Sequence, residues 1–364
     1  MADSPKSLGF RMPAEWEPHE GTWLSWPHNP RTWVGNFGPI PSVFVEIVRA
    51  LCGSEKVHIC VRDGSSEAAV RQLLKDAKLD SESVRFYHIP TNDAWARDHG
   101  PVFLIADCVF NPQSAIRNPQ SKTAVVDWKF NSWGEKYPPW DDDDAVPERI
   151  AELLKLPCFS PRMVLEGGSI DVNGKGTVLT TESVLLNPNR NPQLNRKQIE
   201  DRLEDYLAAR HTVWLGDGIA GDDTDGHIDD LSRFVNATTI VTVVEKDSAD
   251  INYRALHENF ERLKTARDQD GAAFEIVELP TPGKVFRGAE QGGRPAEERL
   301  PASYANFYIG NSAVLVPVFG HENDAKVLGL LGEFYPGRNV IGIRCNDLVG
   351  GYGAIHCVTQ QQPA

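Results

Sequence analysis

No apolar run in this sequence approaches the ~20 residues that a membrane-spanning helix needs, so no membrane segment is expected. Basic side chains are scarce relative to acids: 37 Lys and Arg stand against 51 Asp and Glu, a formal charge of −14. A dedicated nucleic-acid binder needs a basic footprint to displace counterions, so that class is excluded. The cysteines, Cys52, Cys60, Cys108, Cys158, Cys345 and Cys357, form no CxxC pair. Their scatter excludes a zinc ribbon or a disulfide framework and points to a reducing, cytoplasmic compartment. The opening MADSPKSLGFRMPAEW lacks a charged n-region followed by an apolar h-region, so no secretory signal is expected.

The sequence does have the apolar content of a globular chain. Hydrophobic residues make up 41% of it and charged residues 24%, enough to bury a large core without staples. The apolar residues fall in a long, degenerate repeat: an apolar strand, a Pro/Asn-rich turn, a helix and a second short strand. One copy reads TWLSWPHNP, PSVFVEIVRAL, KVHICV, and a second TVLTTESVLLNPNRNP, RKQIEDRLEDYLA, HTVWL. A third is SAVLVPVFGHEND, AKVLGLLGEFY, NVIGIRC, and a fourth TTIVTVVEK, YRALHENFERLKTA, FEIVELP. A looser fifth joins VFLIAD and residues 124–133 to a helix over 146–155 and the strand RMVL. In the second copy, Ile199, Leu203, Tyr206 and Leu207 share one helical stripe. Copies of ~60–80 residues are too long for solenoid units but suit radial blades, none able to cover its own apolar face. The expected fold class is therefore α+β with a radial arrangement of the copies, in preference to an ordinary α/β sheet. Segments 109–123 and 286–300 read as surface loops, and the Asp141–Asp144 run as the acidic start of the helix that follows.

Polar, glycine-containing junctions separate the copies: TNDAWARDHGP, LEGGSIDVNG, GDDTDGHIDD, PASYANFYIGN and GGYGAIHCV. A radial arrangement would bring them together on the axis. Four carry chemically active side chains: Asp98, Glu166, the His227/Asp229 pair and Cys357. If the third junction is extended, His227 and Asp229 face the same way and Ile228 the other. GDDTDG resembles part of a calcium loop. Setting Gly226 at loop position six puts Gly221 and Ser232 where acidic ligands are required, so that reading fails. Cys357 follows His356 and a glycine-rich approach, which makes it the best nucleophile candidate. A cationic neighbour, either His356 or a substrate, could lower its pKa. The other cysteines read as small buried hydrophobes.

Taken in order, MPAEWEPHEGTWLSWPHN, TNDAWARDHGP, WKFNSWGEKY, LEGGSIDVNGKGTVLTTESVLLNPNRNP, GDDTDGHIDDLSRFV, LPASYANFYI and GAIHCVTQQQP resemble the agmatine deiminases. These belong to a guanidino-modifying group that includes the bacterial peptidylarginine deiminases. The resemblance runs from about Met12 to Pro363 and implies one domain over residues 1–364, folded as a five-bladed α/β propeller with an axial site. It implies hydrolysis of agmatine to N-carbamoylputrescine and ammonia in polyamine (putrescine) biosynthesis, without metal or organic cofactor. It also implies a small cationic guanidino substrate as partner, neither nucleic acid nor membrane, and a homo-oligomer, a dimer or larger. By this resemblance Cys357 is the nucleophile and His227 the general acid/base. Asp98 and Asp229 grip the guanidinium, and Glu166 contacts substrate or orients His227. Trp95, Asp222, Asp223 and Asp225 could face the distal ammonium by cation–π contact or charge pairing. Arg97 and Arg233 lie near these positions in sequence and keep a carboxylate-binding role open. The alternative is therefore deimination of arginine or peptidyl-arginine by the same residues. A different thiol hydrolase and an acidic cation-binding protein rank below it.

Overall fold

The structure is a computed structural model that describes residues 4–79, 82–106, 121–287 and 297–364. Most of the two expected loops, residues 109–120 and 288–296, and Cys108 lie outside the described residues. The architecture is mixed α/β, and among the described residues the strands form five separate sheets.

Each sheet is built on one plan. A central strand pairs antiparallel with a short strand on one side and parallel with a second strand on the other. In the sheet centred on Thr239–Val244, Ser232–Phe234 is antiparallel and Glu275–Pro280 parallel. Tyr308–Ile309, Ala313–Val318 and Asn339–Arg344 repeat the plan. So do Asp171–Val172, Thr177–Thr181 and His211–Leu215. Val102–Ala106, Thr123–Val126 and Cys158–Phe159 follow it in the looser copy, where Phe10–Arg11 adds an edge strand. Parallel neighbours cannot be joined by a hairpin and need a long crossover, which is where the helical part of each repeat goes.

The helices carry the pattern that buries them. In Ile40–Leu51 the buried Ile40, Val43, Phe44, Ile47, Val48 and Leu51 fall at three- and four-residue spacing on one face. Burying each such side chain is worth about 1.5–3 kcal/mol. Helix Arg196–Leu207 starts with a capping box between Asn195 and Gln198, which satisfies two end N–H groups.

The fifth sheet joins the chain's two ends. Gln360–Pro363 pairs antiparallel with His19–Ser25, which pairs parallel with Lys56–Val61 and through it with Val84–His88. The first sequence repeat thus receives its short strand from the C-terminal segment, a contact that no local pattern encodes.

Three expectations need correction. The second strand of the looser copy is Cys158–Phe159, and RMVL contributes only an isolated bridge from Val164 to Lys129. Asp141–Asp144 forms its own helical turn, in which buried Asp143 accepts the Asn92 and Asp93 N–H groups at 2.7 and 3.3 Å. Cys158 is exposed because it sits on a two-residue edge strand, and Cys52 is only half-buried, whereas Cys60 and Cys345 are buried.

Candidate active site

The short strand of each sheet follows one of the polar junctions or, for Asp171–Val172 and Tyr308–Ile309, lies within it, and the junctions touch one another in a closed cycle. Gly168 N–H donates to Asp98 Oδ1 at 3.0 Å, tying the second junction to the first. His227 Nε2 lies 3.9 Å from Glu166 Oε2, linking third to second. Asn306 Nδ2 donates to Asp230 Oδ1 at 3.0 Å, linking fourth to third. His356 N–H donates to the Asn306 side chain at 2.9 Å, and Arg97 N–H to the Cys357 carbonyl at 3.1 Å, which completes the ring.

A cavity of about 270 Å³ opens at this meeting point. Its lining runs from the exposed Arg31 and Tyr137 to the buried Trp95, Asp98, Trp133 and Cys357. Two glycines make room for the thiol and the indole. A Cβ on Gly353 would stand 2.5 Å from Trp95 and 3.1 Å from Cys357 Sγ, and one on Gly351 2.6 Å from Trp33 Nε1. Trp95 therefore forms a wall beside the thiol, backed by Trp33 at 5.4 Å between ring centroids.

His227, Glu166 and Asp229 stand behind that lining, almost wholly buried. His227, Asp98 and Asp229 converge above Gly168, where a Cβ would meet all three at 2.6–3.0 Å. His227 Nδ1 is 3.7 Å from Asp98 Oδ1. The extended segment expected around His227 is not what brings this about. Ile228–Asp230 is a 3₁₀ turn, so the alternation argument fails although both side chains still reach the cluster. Asp222 builds the loop leading into that turn by accepting N–H from Thr224, Gly226 and His227 at 2.8, 2.9 and 3.2 Å. Asp225 is taken up by Arg190 at 2.6 Å and Lys136 at 3.0 Å. Of the GDDTDG acids only Asp223 lines the cavity, where Tyr137 Oη donates to it and Lys136 lies 3.6 Å away.

The electrostatics are those of a buried acid cluster. Burial pushes the Cys357 thiol well above the ordinary range, and the negative charges of Asp229, Asp230 and Asp98 push it further. Burial also raises Asp98. His227 pulls it back, while Asp229 and Glu166 raise it again. For His227, burial opposes the imidazolium, but Asp98, Asp229, Glu166 and Asp222 outweigh it and the pKa is raised. Both ring nitrogens of His227, Glu166 Oε2 and Asp229 Oδ1 are buried without a hydrogen-bond partner among the described residues.

Several residues of the cluster escape a reading of the sequence. Asn306 donates to Cys357 Sγ at 3.1 Å, and as a neutral amide it carries no chemical signal. Arg190 holds Glu166 at 2.6 Å and the Thr224 carbonyl at 2.9 Å, fixing acid and turn together. Trp133 Nε1 donates to Asp98 Oδ2 at 2.9 Å from a backbone in which Ser132, Trp133 and Gly134 all have left-handed φ, of 53°, 55° and 91°. Such strain at non-glycine residues costs about 1–3 kcal/mol each and persists where the surroundings hold it. Asp93, also on the cavity lining, is raised to about 7 by burial and by Asp143, against hydrogen bonds from Thr32 and Ala94. Arg97 and Arg233 are buried and turned to Glu15, at 3.1 and 3.0 Å, away from the cavity lining.

The profile of the Porphyromonas-type peptidyl-arginine deiminase family matches residues 11–363. An agmatine deiminase of Medicago truncatula is 37% identical, over 100% of this chain and 99% of its own. One from Pseudomonas putida is 38% identical, over 100% and 98%. A solved structure of the Enterococcus faecalis agmatine deiminase superposes with a TM-score of 0.88 at 34% identity, covering 100% of this chain and 98% of that one. With sequence and fold matched from end to end, this chain belongs to the Porphyromonas-type peptidyl-arginine deiminase family.

Proposed function

We propose that this protein hydrolyses agmatine to N-carbamoylputrescine and ammonia, a step of putrescine biosynthesis, at a site on the axis of a five-bladed propeller formed by the whole chain. The closed cycle of junction contacts and the pairing of the two chain ends support the propeller. One observation carries the activity: a buried thiol at a cavity lined by Asp98 and backed by Asp229, to neither of which the lining cations Arg31 and Lys136 are paired, with Asp229 Oδ1 left without a hydrogen-bond partner among the described residues. A planar guanidinium supplies both the charge and the N–H groups that such a pair accepts.

The chemistry follows from those groups. The bound cation offsets the carboxylates that raise the Cys357 pKa, so once substrate is present the thiol gives its proton to solvent and the thiolate forms. The sulfur adds to the guanidinium carbon. His227 gives its proton to one terminal nitrogen, the C–N bond breaks and ammonia leaves, with an amidino-thioether on Cys357. His227 then takes a proton from water, whose oxygen attacks the same carbon. The C–S bond breaks, releasing the urea product and regenerating the thiol. Glu166, held by Arg190, orients His227. Trp95 and the acids nearer the opening, Asp93 and Asp223, take the distal ammonium end.

Arginine is the second reading, because exposed Arg31 on the lining could receive an α-carboxylate. Ammonia release by the purified protein, with Cys357→Ala alongside and arginine as comparison, separates the two. Agmatine turnover that is lost in the variant by at least about 10⁴-fold supports the proposal. Turnover of arginine alone would overturn the substrate, and turnover retained in the variant would overturn the mechanism.

A further inference from the structure

Glu15 belongs to no regular element, yet it is buried behind the site and reaches three of the junctions. Its Oε1 accepts the Ile309 N–H at 2.8 Å and lies 3.0 Å from Arg233 Nη2. Its Oε2 lies 3.1 Å from Arg97 Nη2 and 2.8 Å from His356 Nε2. The other nitrogen of that ring, Nδ1, is 2.7 Å from Asp229 Oδ2. His356 is buried, so no bulk water substitutes for either contact.

An imidazole with a carboxylate oxygen against each nitrogen needs a proton on both, because an ionised carboxylate only accepts. A neutral ring would set a lone pair against an anion in a dry site. We infer that His356 is held as an imidazolium between Glu15 and Asp229, and that Glu15 is a positioning residue that keeps Asp229 anionic and oriented for the substrate. This rests on the deiminase reading for its kinetic consequence, though not for the state of the ring.

The two oxygens of Asp229 have different tasks. Oδ2 accepts the hydrogen bond from His356 Nδ1–H and lies 3.8 Å from Cys357 Sγ. Oδ1 is left without a partner among the described residues, available to a guanidinium N–H. The other charges around the pair are Arg97, whose Nε lies 3.4 Å from the His356 carbonyl, Arg233, and Asp171, which is 3.4 Å from Arg233 Nε; on the cavity side Asp229 also feels His227, Asp98, Asp222 and Asp230. Glu15 and Asp229 are both held below the ordinary carboxylate range: burial opposes this, and Arg233 with His356, or His356 with His227, overcomes it.

Two measurements test this. In ¹⁵N-histidine-labelled protein, with the His356 signal assigned by its loss in His356→Gln, both ring nitrogens should carry protons in the free protein at pH 7. An unprotonated nitrogen at pH 7 would overturn the inference, whether or not the protein turns over agmatine. The second is kinetic. Glu15→Gln cannot stabilise the second ring proton, so Asp229 loses its cation and its pKa rises. The acid limb of kcat/KM for agmatine should then move to higher pH, with KM near pH 6 up about tenfold and recovery above pH 8. A loss uniform across pH with KM unchanged, or a profile superimposable on the wild type, would mean that Glu15 is only structural.

Discussion

Two layers of buried charge meet at Asp229 and differ in how they are balanced. Behind it, Glu15 is matched by Arg97, Arg233 and His356 within 3.1 Å. In front of it, Asp98, Glu166 and His227 are equally buried, but His227 and one oxygen of Glu166 lack hydrogen-bond partners among the described residues. The rear layer is closed by its ion pairs, whereas the front layer, apart from the Arg190–Glu166 pair, keeps polar atoms open. The pKa directions separate the layers in the same way. Glu15 is lowered, so its charge contributes stability above its ordinary pKa that is lost as pH falls through the folded value. Asp98 is raised, so its charge opposes folding at neutral pH and that opposition is relieved on acidification.

The sharpest test of this contrast is a pair of isosteric changes. Asp98→Asn should lower kcat/KM for agmatine by about 10²–10³-fold, the cost of a lost charge-assisted contact, with stability changed by less than about 1 kcal/mol. Glu15→Gln should destabilise the protein by about 3 kcal/mol in denaturant titrations at pH 7, because it strands buried cations. Equal stability losses in the two variants would erase the distinction between the layers.

A smaller effect concerns the thiol. Because burial and then the surrounding acids raise Cys357, its alkylation by iodoacetamide should keep accelerating through pH 9 without a plateau, and Asp98→Asn should speed it about threefold to tenfold at pH 8. A plateau below pH 8 would contradict the raised pKa. The smallest expected effect lies at the distal end. Burial and Asp143 push Asp93 up to about 7, so in the proposed site its charge, and with it the attraction for the distal ammonium, grows between pH 6 and 8. KM for agmatine should therefore fall from pH 6 to 8, and Asp93→Asn should remove that dependence, raising KM a few-fold with kcat unchanged. A KM that responds to pH equally in both proteins would assign the distal end elsewhere.

Much of the front layer is legible in the sequence because its residues are chemically conspicuous. Cys357 after a glycine run and His227 within an acidic turn stand out locally, as do Asp98 and Glu166 beside glycines. Asn306 does not, since an amide in PASYANFYI looks like any turn residue until it meets Cys357, 51 positions away. Glu15 is still less visible: it is one acid in an irregular segment, and its partner His356 lies 341 positions on. Strand alternation groups His227 with Asp229 for the wrong reason, since a 3₁₀ turn rather than an extended segment presents them.

Periodicity and side-chain type are enough to mark the repeat, the helices and central strands within it, and the junctions where chemistry gathers. Those signals act between near neighbours, so they survive in the linear chain. Which short strand completes which sheet, which buried acids are neutralised and which are left open are settled by folding alone. These outcomes depend on distances between residues far apart in the chain, and at a few ångströms in a dry interior such distances determine whether a charge is a support or a binding site.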